Sequence, residues 1–311
     1  MIRPTSRGAL GYWLTAVVVV TAAPTGNAQD KYKSYKEAAS AGAKFVNSGN
    51  LAAAREPLEA AFKLANTDRE KLDAQRALLV PYRELQEIGP MQGAAEYIIA
   101  NSEQAAERSL TRGTVLAFVQ KRGKMDEAVK GYEERLKKAP EDRTLLYLLT
   151  EAHATYTKNA TRSVELGEKL AAVEKKLGKK VDVPGQAQLA QQYIKAGKLK
   201  EGAELYEEIA PLDPKLEAWH YKEAATTWLK AKDKTKALAA AKKSEKAATP
   251  EKRSEQLTHF WHRALGDVFL EGGEPKEAIP HYEQAIASTK TAGYIKDCQM
   301  KLAQAEAAAK K

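Results

Sequence analysis

Between Leu265 and Ala285 an apolar or small residue returns every third or fourth position, breaks at Gly272-Gly273, and resumes in the same phase. That rhythm predicts one helix, a tight glycine turn, and a second helix laid back against the first. Gly266 and Ala278 are small enough for two helix backbones to approach closely, while Phe269 and Tyr282 fill the space beside them. A single hairpin cannot bury its apolar face alone, so the pattern has to recur along the chain.

It recurs. Gly42, Phe45, Gly49, Ala54, Leu58 and Ala61 repeat the spacing and predict helices over 32–48 and 51–65, with Ser48-Gly49-Asn50 as the turn. A looser unit follows, with a helix from Leu72 to Leu85, a turn at Gly89-Pro90, and Ala94, Ala95 and Ile98 beyond it. Pro81 inside the first of these helices should kink it or shift its start. Val115, Leu116 and Val119 precede Gly123, and Ala128, Tyr132 and Leu136 follow it, with Pro140 as the stop. A fourth unit has Leu145 to Ala154, a turn near Lys158 to Thr161 without glycine, and a helix from Arg162 to Leu177. A fifth carries Leu189, Ala190, Tyr193, Gly197, Gly202 and Tyr206. A sixth carries Ala224, Ala225, Trp228, a turn at Lys232-Asp233-Lys234, Ala237 and Ala241. After the charged stretch 249–255 comes the hairpin described first, and Gly293 to Lys310 reads as one alanine-rich helix that caps the last apolar face.

These hairpins account for most of the 311 residues, and the composition agrees with them. Apolar residues make up 43% and aromatics only 7%, which suits helices packed through alanine and leucine better than a sheet. The N-terminus departs from the pattern. Arg3 and Arg7 precede an uncharged, mainly apolar run from Ala9 to Ala23, then Pro24 and Gly26 break it, and Gly26-Asn27-Ala28 offers small residues to a signal peptidase. The reading is a signal peptide over 1–28, cleaved after Ala28, with export to the periplasm or outside the cell; an uncleaved anchor is the other reading. Loss of Arg3 and Arg7 takes the net charge from +9 to +7. With Cys298 as its one cysteine the chain forms no internal disulfide, so its stability rests on packing. The segment 178–185 (GKKVDVPG) has two glycines, a proline and no helical periodicity. It divides the expected repeats into blocks of 29–177 and 186–311.

The interval of about 34 residues, as from Gly89 to Gly123, combines Leu-Gly or Ala-Ala, an aromatic three positions later, a glycine turn and Ala-x3-Tyr. In this the chain resembles the tetratricopeptide repeat family. Residues 183–216 and 259–292 match best, 35–68 and 109–142 well, and 75–108, 143–177 and 218–251 in degraded form. The resemblance implies an all-α, right-handed superhelix of antiparallel hairpins, an alpha-solenoid whose first helices line a concave groove that usually binds peptides. Some family members clamp a peptide carboxylate with lysines and asparagines. The corresponding places here hold Ala39, Ala43, Ala187 and Gln191, so that clamp does not carry over.

Candidate chemistry is sparse. His259 and His262 are three apart on a helix and His281 lies in its partner, but HFWH lacks the acidic neighbour of a zinc protease motif. Cys298 has no histidine near it in sequence to activate a thiolate. Neither a phosphate-binding glycine loop nor a serine elbow occurs, and Glu133-Glu134 and Glu207-Glu208 read as solvated helix faces. The expectation is therefore no enzyme, no cofactor and no metal. The segment 222–246 holds eight lysines against three acids, which suits an anionic polymer, although export argues against nucleic acid. Trp228 falls in the buried register. Trp219 and Phe260 fall nearer the groove, with Lys222 and Arg263 one turn on, and these four form the expected peptide-contact patch of a scaffold or adaptor. An enzyme with an unrecognised groove site is the remaining alternative.

Overall fold

The computed structural model describes residues 31–248 and 254–311, and every regular element among them is helical. The expected signal segment 1–28 and most of the stretch 249–255 lie outside these residues. Fifteen α-helices follow one another. They are α1 (Tyr35–Asn47), α2 (Leu51–Leu64), α3 (Asp68–Glu84), α4 (Ile88–Asn101), α5 (Ala105–Lys121), α6 (Met125–Lys138), α7 (Arg143–Thr155) and α8 (Ala160–Lys176). The rest are α9 (Val183–Lys195), α10 (Leu199–Ile209), α11 (Glu217–Lys230), α12 (Lys234–Ala247), α13 (Glu255–Gly272), α14 (Pro275–Ala287) and α15 (Ala292–Ala309). A single 3₁₀ turn, Ala210–Leu212, follows α10. The chain divides into two compact units, Met1–Ala77 and Leu78–Lys311, with the boundary inside α3.

In the first unit α1 and α2 form the expected hairpin. Ser34 and Asn50 cap the two helices, accepting from the N–H groups of Glu37 and Ala53. Gly49 makes the turn with φ +76°. Gly42 lies under Leu58, where an added Cβ would meet Leu58 Cδ2 at 2.5 Å. Tyr32, Ala38, Ala60, Ala61 and Ala74 form the core. Helix α3 starts at Asp68, ahead of the expected Leu72, because Thr67 and Glu70 exchange hydrogen bonds with each other's backbone N–H. Pro81 does not end it; α3 continues to Glu84.

In the second unit the hairpin turns share one device. Gly123, Gly197 and Gly273 have positive φ, and so do Gln86, Lys158 and Lys232. After Gln86, Gly123, Gly197, Lys232 and Gly273, the next N–H reaches back to the carbonyl of Tyr82, Val119, Tyr193, Trp228 and Phe269 in turn. This bond ends a helix and reverses the chain, and it forms whether or not a glycine is present. The second hairpin accordingly turns at Leu85–Glu87, and Gly89-Pro90, expected as the turn, lies inside the first turn of α4. Proline is tolerated there because the first N–H groups of a helix have no internal partner.

Successive helices pack in chain order from α4 to α15. Helix α7 is buried on nearly all sides, Leu145 through Thr150 included, between α4, α5, α6 and α8. From α9 onwards one continuous core runs through Ala190, Tyr206, Ala225, Trp228, Ala241, Leu265, Phe269, Ala278 and Tyr282 to Ala305. Segment 178–182 connects α8 to α9, and Val183-Pro184-Gly185 is the first turn of α9, capped by the buried carboxylate of Asp182. No described helix is long and apolar enough to cross a membrane.

Candidate functional site

The most unusual chemistry in the second unit is a set of arginines where apolar side chains would be expected. Arg108 and Arg112 stand one turn apart on α5, on the stripe that Val115, Leu116 and Val119 continue, and both are buried. They face Tyr147 on α7. The guanidinium of Arg112 lies 4.6 Å from the centre of its ring, that of Arg108 5.7 Å and that of Arg143 5.9 Å. The Tyr147 hydroxyl donates to Glu174 Oε1 at 2.6 Å, with Asp182 Oδ2 at 3.2 Å. Arg143 Nη2 also donates to Glu174, at 2.8 Å.

The arginines are not equally served. Arg108 donates to the carbonyls of Ser102 and Glu103 at 3.0 and 3.1 Å and lies 3.8 Å from Asp182. Arg112 is only 3% exposed, and its Nε and Nη1 meet no acceptor among the described residues. Burial lowers its pKa, opposed chiefly by Glu151 and Asp182, but a guanidinium remains charged in a protein. Stacking on an aromatic face returns about 2 kcal/mol at best, whereas desolvating an ion costs several. Arg112 is left with two unused donors at a pocket of only about 20 Å³, room for one water, that it lines with Tyr147, Thr150, Gln186 and Gln188. Thr150 Oγ1 is unpartnered too, and Gln188 donates to Glu151 at 2.6 Å. Nε–H and Nη1–H diverge, so an oxyanion that displaced the water for which this pocket has room would take one of them, with the Thr150 hydroxyl beside it.

A cleft of about 530 Å³ lies between α4 and α6. Gly89, Gly93 and Gly131 line it, Tyr132 accepts from Gln92, and the rim charges Glu96 and Arg135 neutralise each other at 2.7 Å. It offers shape without free chemistry.

The four residues expected to form a contact patch are largely occupied inside the chain. Lys222 is buried, with its ammonium 3.6 Å from the centre of the Trp219 ring and paired with Glu223. Burial pushes its pKa down. Arg263 donates to Asp297 at 2.7 Å, and Phe260 packs against His259 and Tyr294. Trp219 and Lys222 thus form one group, while Phe260 and Arg263 face residues of α15. Lys236, Lys242 and Lys243 of the basic segment pair with Glu204, Glu274 and Glu207. Glu207 does more than face solvent: it accepts the Trp228 indole N–H at 2.7 Å.

The histidines separate. His259 is buried with Nδ1 on the Ala285 carbonyl at 2.9 Å. His262 and His281 meet Nδ1 to Nδ1 at 3.0 Å, and His281 Nε2 contacts Glu245 at 3.0 Å. No group of three or more potential metal ligands occurs among the described residues. Cys298 is fully buried, and burial raises its pKa, the reverse of what a nucleophilic thiolate needs.

Sequence reasoning missed the arginine site, whose signal was an apolar stripe interrupted by two arginines in phase. Tyr147 lies within the helix expected from Leu145 to Ala154 and carried no signal of its own.

Residues 262–293 match the tetratricopeptide repeat model, within the hairpin whose pattern is clearest in the sequence. That hairpin is a tetratricopeptide repeat, and the stacked helical hairpins around it have the architecture of such repeats. No curated protein sequence matches it. Among solved structures, the C-terminal part of a tetratricopeptide repeat-containing protein from Cytophaga hutchinsonii has a TM-score of 0.52 at 14% identity. That comparison covers 83% of this chain and 97% of the other. A tetratricopeptide repeat protein from Parabacteroides merdae has a TM-score of 0.39 at 17% identity, covering 88% of this chain and 100% of that one. At 14% identity the likeness to the Cytophaga hutchinsonii protein concerns the fold alone, and the arginine site is read from its own geometry.

Proposed function

We propose that this tetratricopeptide repeat protein is a non-enzymatic scaffold of the cell envelope, binding a protein or peptide that presents a carboxylate side chain to Arg112. The observation that carries the reading is the buried Arg112 guanidinium, with two donors that meet no acceptor beside the unpartnered Thr150 hydroxyl. A protein retains an uncompensated buried charge at a cost to stability, which is reasonable where the charge is completed by a ligand. The carboxylate of aspartate or glutamate supplies an oxygen that accepts from one of these guanidinium N–H groups, a charge-assisted bond. Repeat arrays of this family serve in general as surfaces for protein–protein interaction, which favours a peptide over a small molecule.

A peptide array in which every Asp or Glu peptide has an Asn or Gln twin tests this. The wild type should retain the acidic members, and Arg112→Met should lose them while Arg135→Met keeps them. Equal retention of the twins, or an unchanged profile for Arg112→Met, sinks the reading.

The envelope location is supported by the arginine-flanked apolar run and the Gly26-Asn27-Ala28 segment. Mass spectrometry of the protein from its source should find Gln29 at the mature N-terminus. An intact Met1 on most of the protein would overturn it.

A further inference from the structure

The two connections that follow α8 and α10 are alike in a way that neither the repeat packing nor the arginine site explains. Leu177 and Val181 flank the first connection and are 54% and 56% exposed; Leu212 and Leu216 flank the second, both 51% exposed. Each residue of the first pair is followed 35 positions later by its counterpart in the second. Helices α8, α9, α10 and α11 pack in chain order, each reversing the one before, so both connections lie at the same end of these helices. That end therefore carries a row of large apolar side chains held out into solvent, on loops set by packed helices.

Lysines surround the row. Lys175, Lys179, Lys180 and Lys215 are all exposed, and none pairs with a described carboxylate. Lys137 and Lys138, at the end of α6, are exposed and unpaired in the same sense. Of the acids nearby, Asp182 is buried as the α9 cap, Asp213 lies 3.6 Å from His220 and Glu141 pairs with Lys176 at 2.8 Å, which leaves Glu208 and Glu217 against the six lysines. The end of the molecule is cationic with aliphatic projections, and no aromatic residue lies in 175–182 or 210–216.

We infer that this end of the second unit docks on an anionic lipid surface, with Leu177, Val181, Leu212 and Leu216 entering the boundary between headgroups and acyl chains. Charge complementarity selects an anionic partner, and two features select lipid among anionic partners. A nucleic acid is held by stacking platforms as well as cations, and these loops have none. A soluble acidic polymer gives exposed leucines nothing to bury against, whereas a bilayer interface takes both the charge and the apolar side chain. Each lysine close to an anionic surface strengthens partitioning about five-fold. The first connection ends at Asp182, which lines the Arg112 pocket, but the residues varied in the lipid test are exposed and outside that pocket, so failure of the lipid reading is distinguishable from failure of the peptide reading.

Co-sedimentation of the full chain with vesicles tests the inference, comparing phosphatidylcholine alone with phosphatidylcholine containing phosphatidylglycerol. Wild type should bind the anionic vesicles at least ten-fold more strongly. Lys179→Glu/Lys180→Glu should reduce that binding at least twenty-fold, about five-fold for each lost lysine and more for the charge reversal. Val181→Ser/Leu216→Ser should reduce it several-fold and make the remainder salt-labile. All four positions are exposed, so each variant should keep the wild-type melting temperature. Lys179→Gln/Lys180→Gln, with an intermediate loss, repeats the charge test without reversal. Binding indifferent to lipid charge, binding unchanged in either double variant, or competition by soluble DNA as effective as by anionic vesicles overturns the proposal. The N-terminal apolar run is common to all variants, so it cannot produce the differences on which the result turns.

Discussion

Helices α11 to α14 and helices α5 to α8 lie in the same unit, and they solve the problem of packing a hairpin in opposite ways. In the first set, alanine and glycine let backbones meet. Ala224, Ala225, Ala237, Ala240 and Ala241 are fully buried, and a Cβ added to Gly266 would stand 2.8 Å from the Tyr282 ring. In the second set, the side chains between helices are large and polar: Arg108, Arg112, Tyr147 and Glu174. Large polar groups hold helices apart and leave a pocket with unused donors, whereas small apolar ones close the gap. The tight region is dry and committed to stability. The polar region is the one to which the proposed recognition is assigned.

Truncation should break the tight region hardest. Trp228→Ala removes the largest fully buried side chain and leaves Glu207 without its indole donor, so it should cost about 3–5 kcal/mol. A fall in the urea midpoint reads this, and a change under 1 kcal/mol would refute close packing there.

Acid should act next. Burial lowers the pKa of His281 from its ordinary value to about 4, against the opposing charge of Glu277. The folded protein therefore binds a proton more weakly at this site than the unfolded chain does. The stabilising contribution is complete above about pH 6.5 and disappears as pH falls towards 4. Up to about 3 kcal/mol is at stake. The groups facing His281 are His262 from α13, Glu245 from α12 and, electrostatically, Glu277 from its own helix. His281→Asn should flatten the acid limb of a plot of melting temperature against pH; an unchanged limb would exclude His281 as the titrating group.

Ala278→Leu puts three further carbons into a fully buried position and should cost about 1–3 kcal/mol through overpacking. Equal melting temperatures would show that the hairpin is looser than the contact of Gly266 with Tyr282 implies.

Arg112→Met should have the smallest effect on stability and the opposite sign. Replacing a poorly served buried ion by an apolar side chain of similar reach should leave the melting temperature unchanged or raise it, by about 1 kcal/mol in stability. A loss above 2 kcal/mol would make Arg112 a structural member of the core and erase the contrast between the two regions.

The hairpins were legible because a 3.6-residue period with small residues at fixed places leaves few alternatives. Helices α1, α2, α8 and α15 fall within a few residues of the spans read from sequence. The second hairpin was legible in content but not in detail. Gly89-Pro90 looks like a turn, yet the chain reverses at Gln86, because a lone left-handed glutamine costs only about 1–2 kcal/mol and helix packing repays it. Lys158 and Lys232 do the same. Lys222 illustrates a different limit. Its place one turn after Trp219 was visible, but a lysine on a helix can extend outward or fold along its own surface, and its ring and carboxylate neighbours decided the latter.

What the sequence by itself determined is the repeating helical hairpin, since its periodicity, small-residue contacts and turn spacing are local properties. Tertiary structure alone decided which polar groups are spent and which are free. Arg108 and Arg112 are alike in sequence, one turn apart on one helix, yet Arg108 reaches two carbonyls and Arg112 reaches no described acceptor. The difference arises from atoms contributed by α7, α8 and the start of α9, and whether a buried charge is satisfied depends on ångström-scale distances to groups far away in the chain.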